Sequence, residues 1–117
     1  MNRDQATQFA INVRADGGAT VSVHDEPIPV TGYFVSDAGG IEIPLDAFTE
    51  TDVRTFADKY AFELAHAGVF LGGWVSDGRV YLDITRHYFS RACALKAAEI
   101  NQQLAIWDIA NEAEIAA

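Results

Sequence analysis

The sequence predicts an α+β fold, with a mainly antiparallel sheet of about five to six strands and two helices packed on one face, in the order β-β-β-(β)-α-β-β-α-β. Three observations carry this expectation. Short runs of alternating apolar and polar residues fill the first half of the chain. Asp77-Gly78 joins two longer alternating runs in the second half. Two segments, after Thr49 and after Ser90, switch to the 3.6-residue spacing of helices.

The elements follow in order. Phe9, Ile11 and Val13 alternate with polar residues, Asp16-Gly17-Gly18 offers a turn, and Ala19, Val21 and Val23 resume the alternation. That pattern predicts an N-terminal β-hairpin. Pro27 and Pro29 interrupt the ladder, because proline has no backbone N–H to donate. A third strand is expected over Val30–Val35 and a short extended piece over Ile41–Ile43. Thr49 with Asp52 forms a capping-box pattern, followed by Val53, Phe56, Ala57, Tyr60 and Leu64 on one helical face, with Gly68 as the stop. Phe62 falls on the opposite face.

Asp-Gly tolerates the positive φ angles of a two-residue turn, so Asp77-Gly78 sets a register in which Val75 opposes Val80, Trp74 opposes Tyr81 and Leu71 opposes Ile84. Leu71, Val75, Val80, Leu82 and Ile84 then form a core face. Trp74, Tyr81, Asp83, Thr85 and His87 form the other face. Gly72-Gly73 implies a bulge or a close backbone approach. Ser90 is the expected N-cap of a second helix with a buried stripe of Cys93, Ala97, Ile100 and Leu104. Ala105–Ile109 reads as a last strand with Trp107 buried, and residues 110–117 as a tail that frays.

The chain has 117 residues, half of them hydrophobic, which suits a single domain over 1–117 with one core. It carries 17 acidic residues against eight lysines and arginines, a net charge of −9. The first fifty residues hold −6 of it and residues 101–117 hold −3. With so few cations and no run of them, direct nucleic-acid binding is not expected. One cysteine excludes an internal disulfide and a multi-thiolate zinc site. Neither a secretory leader nor an apolar run of membrane-spanning length is visible, so a cytoplasmic protein is expected.

Candidate chemistry is sparse. The pairs Gly17-Gly18, Gly39-Gly40 and Gly72-Gly73 lack the spacing and following helix of a phosphate cradle. His24, His66 and His87 show no metal-ligand spacing. Cys93 with His87 has the residue types of a nucleophile and base, yet Cys93 starts an apolar stripe, and free cysteine is usually a core residue. Ser22, Ser36, Ser76 and Ser90 fall at strand, turn and cap positions, outside any nucleophile elbow. What remains is the second hairpin face: Trp74, Tyr81, Asp83, Thr85 and His87. Tryptophan and tyrosine dominate binding hot spots, so this face is the expected partner-binding surface. The competing expectation is that a helix or the N-terminal hairpin covers it, with Trp74 and Tyr81 as ordinary cross-strand packing.

Gly73-Trp74-Val75, Val80-Tyr81-Leu82-Asp83-Ile84, the alanine-rich helix and Asn101–Ile109 together resemble small uncharacterised proteins encoded by actinobacterial phages and other mobile elements. Tyr33-Phe34-Val35 and Ile41–Pro44 fit the same pattern, so the resemblance spans residues 30–109. It implies an origin rather than a mechanism, and it favours a non-enzymatic accessory protein that binds a host or phage protein. The expectation is therefore a protein partner held on an aromatic or acidic surface, with no cofactor, no metal and a homodimer as a further option. Two alternatives stand beside it: a small ligand-binding domain or enzyme with a site around Asp83 and His87, and an acidic mimic of DNA whose binding fades with salt.

Overall fold

A computed structural model describes residues 1–117. Four helices and seven strands follow one another as α1 (Arg3–Asp16), β1 (Gly18–Val21), β2 (Tyr33–Ser36), β3 (Ile41–Pro44), α2 (Glu50–Lys59), α3 (Ala61–Leu64), β4 (Val69–Ser76), β5 (Arg79–Tyr88), α4 (Arg91–Ile100), β6 (Ala105–Asp108) and β7 (Ala113–Ala116). A short 3₁₀ turn over Leu45–Ala47 leads into α2. The strands form one sheet in the order β1-β4-β5-β2-β6-β7, with β3 beside the first half of β5. Every pairing is antiparallel. The α+β class is as expected, with one or two more strands and two more helices.

The β4–β5 hairpin is the spine of the sheet. Asp77 and Gly78 both take positive φ, 50° and 73°, and the register is the expected one: Val75 against Val80, Trp74 against Tyr81, Leu71 against Ile84. The predicted core face is buried. Leu71, Val80 and Leu82 are fully inaccessible and pack with Val69 and Ile84 against Phe9 and Val13 of α1 and Val53 and Phe56 of α2. Helix α2 starts as its sequence demands, with Thr49 and Asp52 making the reciprocal capping box. Arg14 then locks α1 to the entry of α2, donating to the carbonyls of Leu45 and Phe48.

The N-terminal hairpin is a correction. Residues 3–16 are helical, and only the second half of the supposed hairpin, Gly18–Val21, is a strand, paired with β4. Ala6, Phe9, Ala10 and Val13 recur at helical spacing and are buried, whereas Ile11, expected to share a strand face with Phe9 and Val13, is 52% exposed. Asn2 and Gln5 make a capping box that starts the helix. The Asp16-Gly17 turn signal was real, but it ends a helix: Gly17 has φ +78° and its N–H bonds back to Val13.

Helix α4 starts at Ser90, whose hydroxyl accepts from the Cys93 N–H. It is rotated from the expected stripe. Ala94 and Ala98 are buried against Val35 and Ile106, while Cys93, Ile100 and Leu104 face solvent. Two alanines let the helix approach the sheet closely, which the bulkier stripe would prevent. The tail does not end loose either. Ala113–Ala116 pairs with β6, and the Asp108 carboxylate accepts from the Asn111 N–H in the turn between them. Trp107 lies on the open side of this hairpin and is 40% exposed, not buried.

The Gly72-Gly73 pair makes no bulge, since the ladder runs through it without a break. Both glycines serve close approach. A Cβ on Gly73 would stand 3.0 Å from the ring of Phe9 on the core side, and a Cβ on Gly72 would collide with Thr85 Oγ1 on the other.

Candidate functional site

All four helices lie on one face of the sheet. Strand alternation places Val35, Leu71, Val80 and Ile106 toward them and sends Phe34, Trp74, Tyr81 and Trp107 the other way. No helix covers this second face, and the N-terminal segment expected to do so is α1, on the core side. The face is instead a half-open trough of about 900 Å³, bordered by Gly17–Thr20, Trp74, and residues 102–107 of the β6 approach. A smaller hollow of about 300 Å³ adjoins it, with Trp74 and Gln103 on the divide.

The five residues expected to form a surface share this face but differ in what they do. Trp74 and Tyr81 stack across β4 and β5 with ring centroids 5.4 Å apart and planes 9° from parallel. Trp74 keeps 39% of its surface exposed. Glu42 lies opposite Tyr81 on β3, and its negative charge opposes ionisation of the phenol. Partial desolvation first, and Glu42 next, push the phenol pKa above its ordinary value.

Asp83 and Thr85 follow Tyr81 along the same face of β5 and are 3% and 6% exposed. Thr85 Oγ1 donates to Asp83 Oδ1 at 2.8 Å, while Asp83 Oδ2 is buried with no partner. Glycines flank the carboxyl on both sides. A Cβ on Gly72 would stand 2.7 Å from Oδ1, and one on Gly40 would stand 3.1 Å from Asp83 Cβ. Burial raises the Asp83 pKa to about 6; the Ser36 and Thr85 hydroxyls pull against that rise, and the Asp37 charge adds to it. The cause is desolvation of an acid that has hydroxyl neighbours and no cation.

His87 stands apart. It is four residues from Asp83 along β5, about 13 Å at strand rise. Its Nε2 bonds to the Thr31 carbonyl at 2.8 Å, and its ring packs edge-on against Phe34 and Phe89. His87 therefore pins the β1–β2 loop across the end of the sheet, helped by the Glu26 carboxylate, which accepts from the Gly68 N–H. No hydrogen bond joins His87 to Cys93, and the thiol lies on the outer side of α4.

Gln103, Trp107 and Phe34 line the trough without having been singled out with the hairpin face. Alternation from Trp107 through its β2 partner Phe34 to His87 was the available signal, but it needs the β2–β6 pairing, which no local pattern specifies. No group of three or more histidine, cysteine, aspartate or glutamate side chains is arranged to hold a metal ion. No helix is long and apolar enough to cross a membrane.

No protein-family model, curated protein or solved structure matches the chain.

Proposed function

We propose that this protein is a non-enzymatic accessory module, of the kind found in phages, that binds a protein partner through the open face of its sheet. One observation carries the reading: every helix packs on one face, and the opposite face is a trough bordered by half-exposed Trp74 and Trp107. Half-exposed tryptophans beside a concavity are the residue type and setting in which binding energy concentrates. A half-open trough suits an extended segment of a partner better than a small molecule, which needs most of its surface enclosed.

Selection of displayed random peptides on the folded protein tests this. Binders should perturb the indole N–H signals of Trp74 and Trp107, and a Trp74→Ala/Trp107→Ala double variant should lose at least about thirtyfold in affinity, the loss typical of hot-spot truncation. Peptides that bind the double variant unchanged would refute the reading. A second reading, a small-ligand site in the hollow beside Asp83, is favoured by the buried carboxyl oxygen Oδ2, which has no donor there. It predicts binders that ignore Trp107 and depend on Asp83.

A further inference from the structure

The charges that border the trough are all of one sign. Asp16, Glu112 and Glu114 line it, and Asp37, Glu42 and Asp83 line the adjoining hollow, with no lysine or arginine on either. Asp37 is paired with Arg86 at 2.9 Å and Glu42 with Arg79 at 3.3 Å. Asp16, Glu112, Glu114 and Asp83 have no cationic partner. Like charges gathered around a concavity raise the local concentration of counter-charge and lower that of anions.

An acidic rim alone would be a solvated surface. Two further observations point to an occupant. The first is Asp83 Oδ2, a buried acceptor without a donor, on a residue 3% exposed that lines the hollow. A buried carboxylate oxygen without a donor is costly and calls for an explanation, and a donor brought by a binding partner supplies one. Glycines on both neighbouring segments leave the room it occupies, since a side chain at Gly72 or Gly40 would crowd it. The second is the indole pair. Trp74 and Trp107 offer ring surface beside those carboxylates, and tryptophan is the best aromatic partner for a cation.

Resting on the reading of the trough as a recognition face, we infer that its occupant is a basic extended segment of a partner protein. Its arginine or lysine side chains lie against Trp74 and Trp107 and reach the unpaired carboxylates Glu112, Glu114 and Asp83. A guanidinium satisfies all three features together: it stacks on indole, it pairs with carboxylates, and it supplies the donors that Asp83 Oδ2 lacks. The chain's net charge of −9 draws such a segment in from a distance, and the trough selects it at contact.

The test titrates three capped hexapeptides, (Ala-Arg)₃, (Ala-citrulline)₃ and (Ala-Glu)₃, into labelled protein, followed by amide and indole chemical shifts. The arginine peptide is expected to shift Gly72–Trp74 and the Trp107 indole. It should bind at least about tenfold more tightly than the citrulline peptide, which has the same shape without the charge. Trp74→Ala and, separately, Glu112→Gln/Glu114→Gln should each weaken it by about tenfold, and affinity should fall with added salt. Equal binding of arginine and citrulline peptides would overturn the charge assignment and leave the recognition face standing. An arginine peptide that shifts acidic residues away from the trough, and ignores Trp74→Ala, would overturn it as simple counter-ion attraction. Should the arginine peptide not bind, the proposal fails. Neutral peptides selected by display that still shift Trp74 and Trp107 would then preserve the trough as a binding face, and their absence would end both readings.

Discussion

The two faces of this sheet are made from the same strands and do opposite things. On the helix side, Leu71, Val80, Leu82 and Ile84 meet Phe9, Val13, Val53 and Phe56 in one continuous core. On the open side, Phe34 and Phe70 pack edge-to-face with centroids 5.6 Å apart, but their neighbours along the strands are Asp83, Thr85, Trp74 and Tyr81. Residue by residue the two sets alternate along β5, so one strand carries a core and a recognition surface at once. Most of the buried apolar side chains lie on the first face, and on the second Phe34 and Phe70 are buried. The second holds groups that stability alone would not choose: a buried unpaired carboxyl and half-exposed indoles.

That contrast can be broken most directly by truncation. Leu71→Ala should cost about 3–5 kcal/mol, the transfer loss of a fully buried side chain plus the cavity it leaves. Trp74→Ala, on the adjoining open face, should cost less, about 1–2 kcal/mol, from its stacking with Tyr81 and the part of the ring that is covered. Urea unfolding of the two variants measures the difference, and equal losses would mean that the open face is a second core.

Asp83 provides the next largest effect, with a sign that depends on pH. Its carboxyl titrates at about 6 when folded against an ordinary 3.8, so the folded state holds the proton more tightly than the unfolded chain. The stability it contributes is complete below about pH 4 and is lost as pH rises to about 6. The loss amounts to about 3 kcal/mol, from two pKa units at 1.36 kcal/mol each. Asp83→Asn should therefore stabilise the protein at pH 8, with the gain vanishing by pH 4. A gain that is the same at every pH would show that the carboxyl is not the group responsible.

The two adjacent glycines sharpen the comparison further. Gly72→Ala pushes into Thr85 and Asp83 on the open side, and Gly73→Ala pushes into Phe9 and Val13 on the core side. Overpacking costs about 1–3 kcal/mol. Gly73→Ala should shift stability with little effect on ligand binding, while Gly72→Ala should displace Asp83 and weaken binding beyond its effect on the unfolding midpoint. The smallest effect belongs to Tyr81→Phe, which keeps the stacked ring and removes only the phenol beside Glu42. Its urea unfolding midpoint should match that of the parent protein, and a measurable drop would make the Tyr81–Glu42 contact part of the framework.

What short-range chemistry decides was legible along the chain. Asp77-Gly78 admits the left-handed conformations a tight turn needs, so the β4–β5 register and the assignment of every β5 side chain to a face could be read directly. Thr49 with Asp52 and Ser90 mark helix starts for the same local reason, side-chain oxygens bonding to amides within three residues: the Asp52 carboxylate accepts from the Thr49 N–H and the Ser90 hydroxyl from the Cys93 N–H. Five residues of the candidate surface were legible as one face because strand alternation has a period of two. Beyond that range the patterns were degenerate. Phe9, Ile11 and Val13 alternate like a strand, yet Ala6, Phe9, Ala10 and Val13 fit a helix equally well, and it is packing across Gly73 that favours the helix. The stripe of α4 is one residue away from the one expected, a rotation of about 100°, because only small side chains permit the approach to Val35 and Ile106. The last strand needs β6 as its partner before residues 113–116 have any reason to extend. Helices on one face were expected from the sequence; only the tertiary structure decided that α1 would join them in place of an N-terminal hairpin, and that Trp107 and Gln103 would join Trp74 around an open trough. Which face is left bare depends on where distant elements pack, and no local interaction in the chain encodes it.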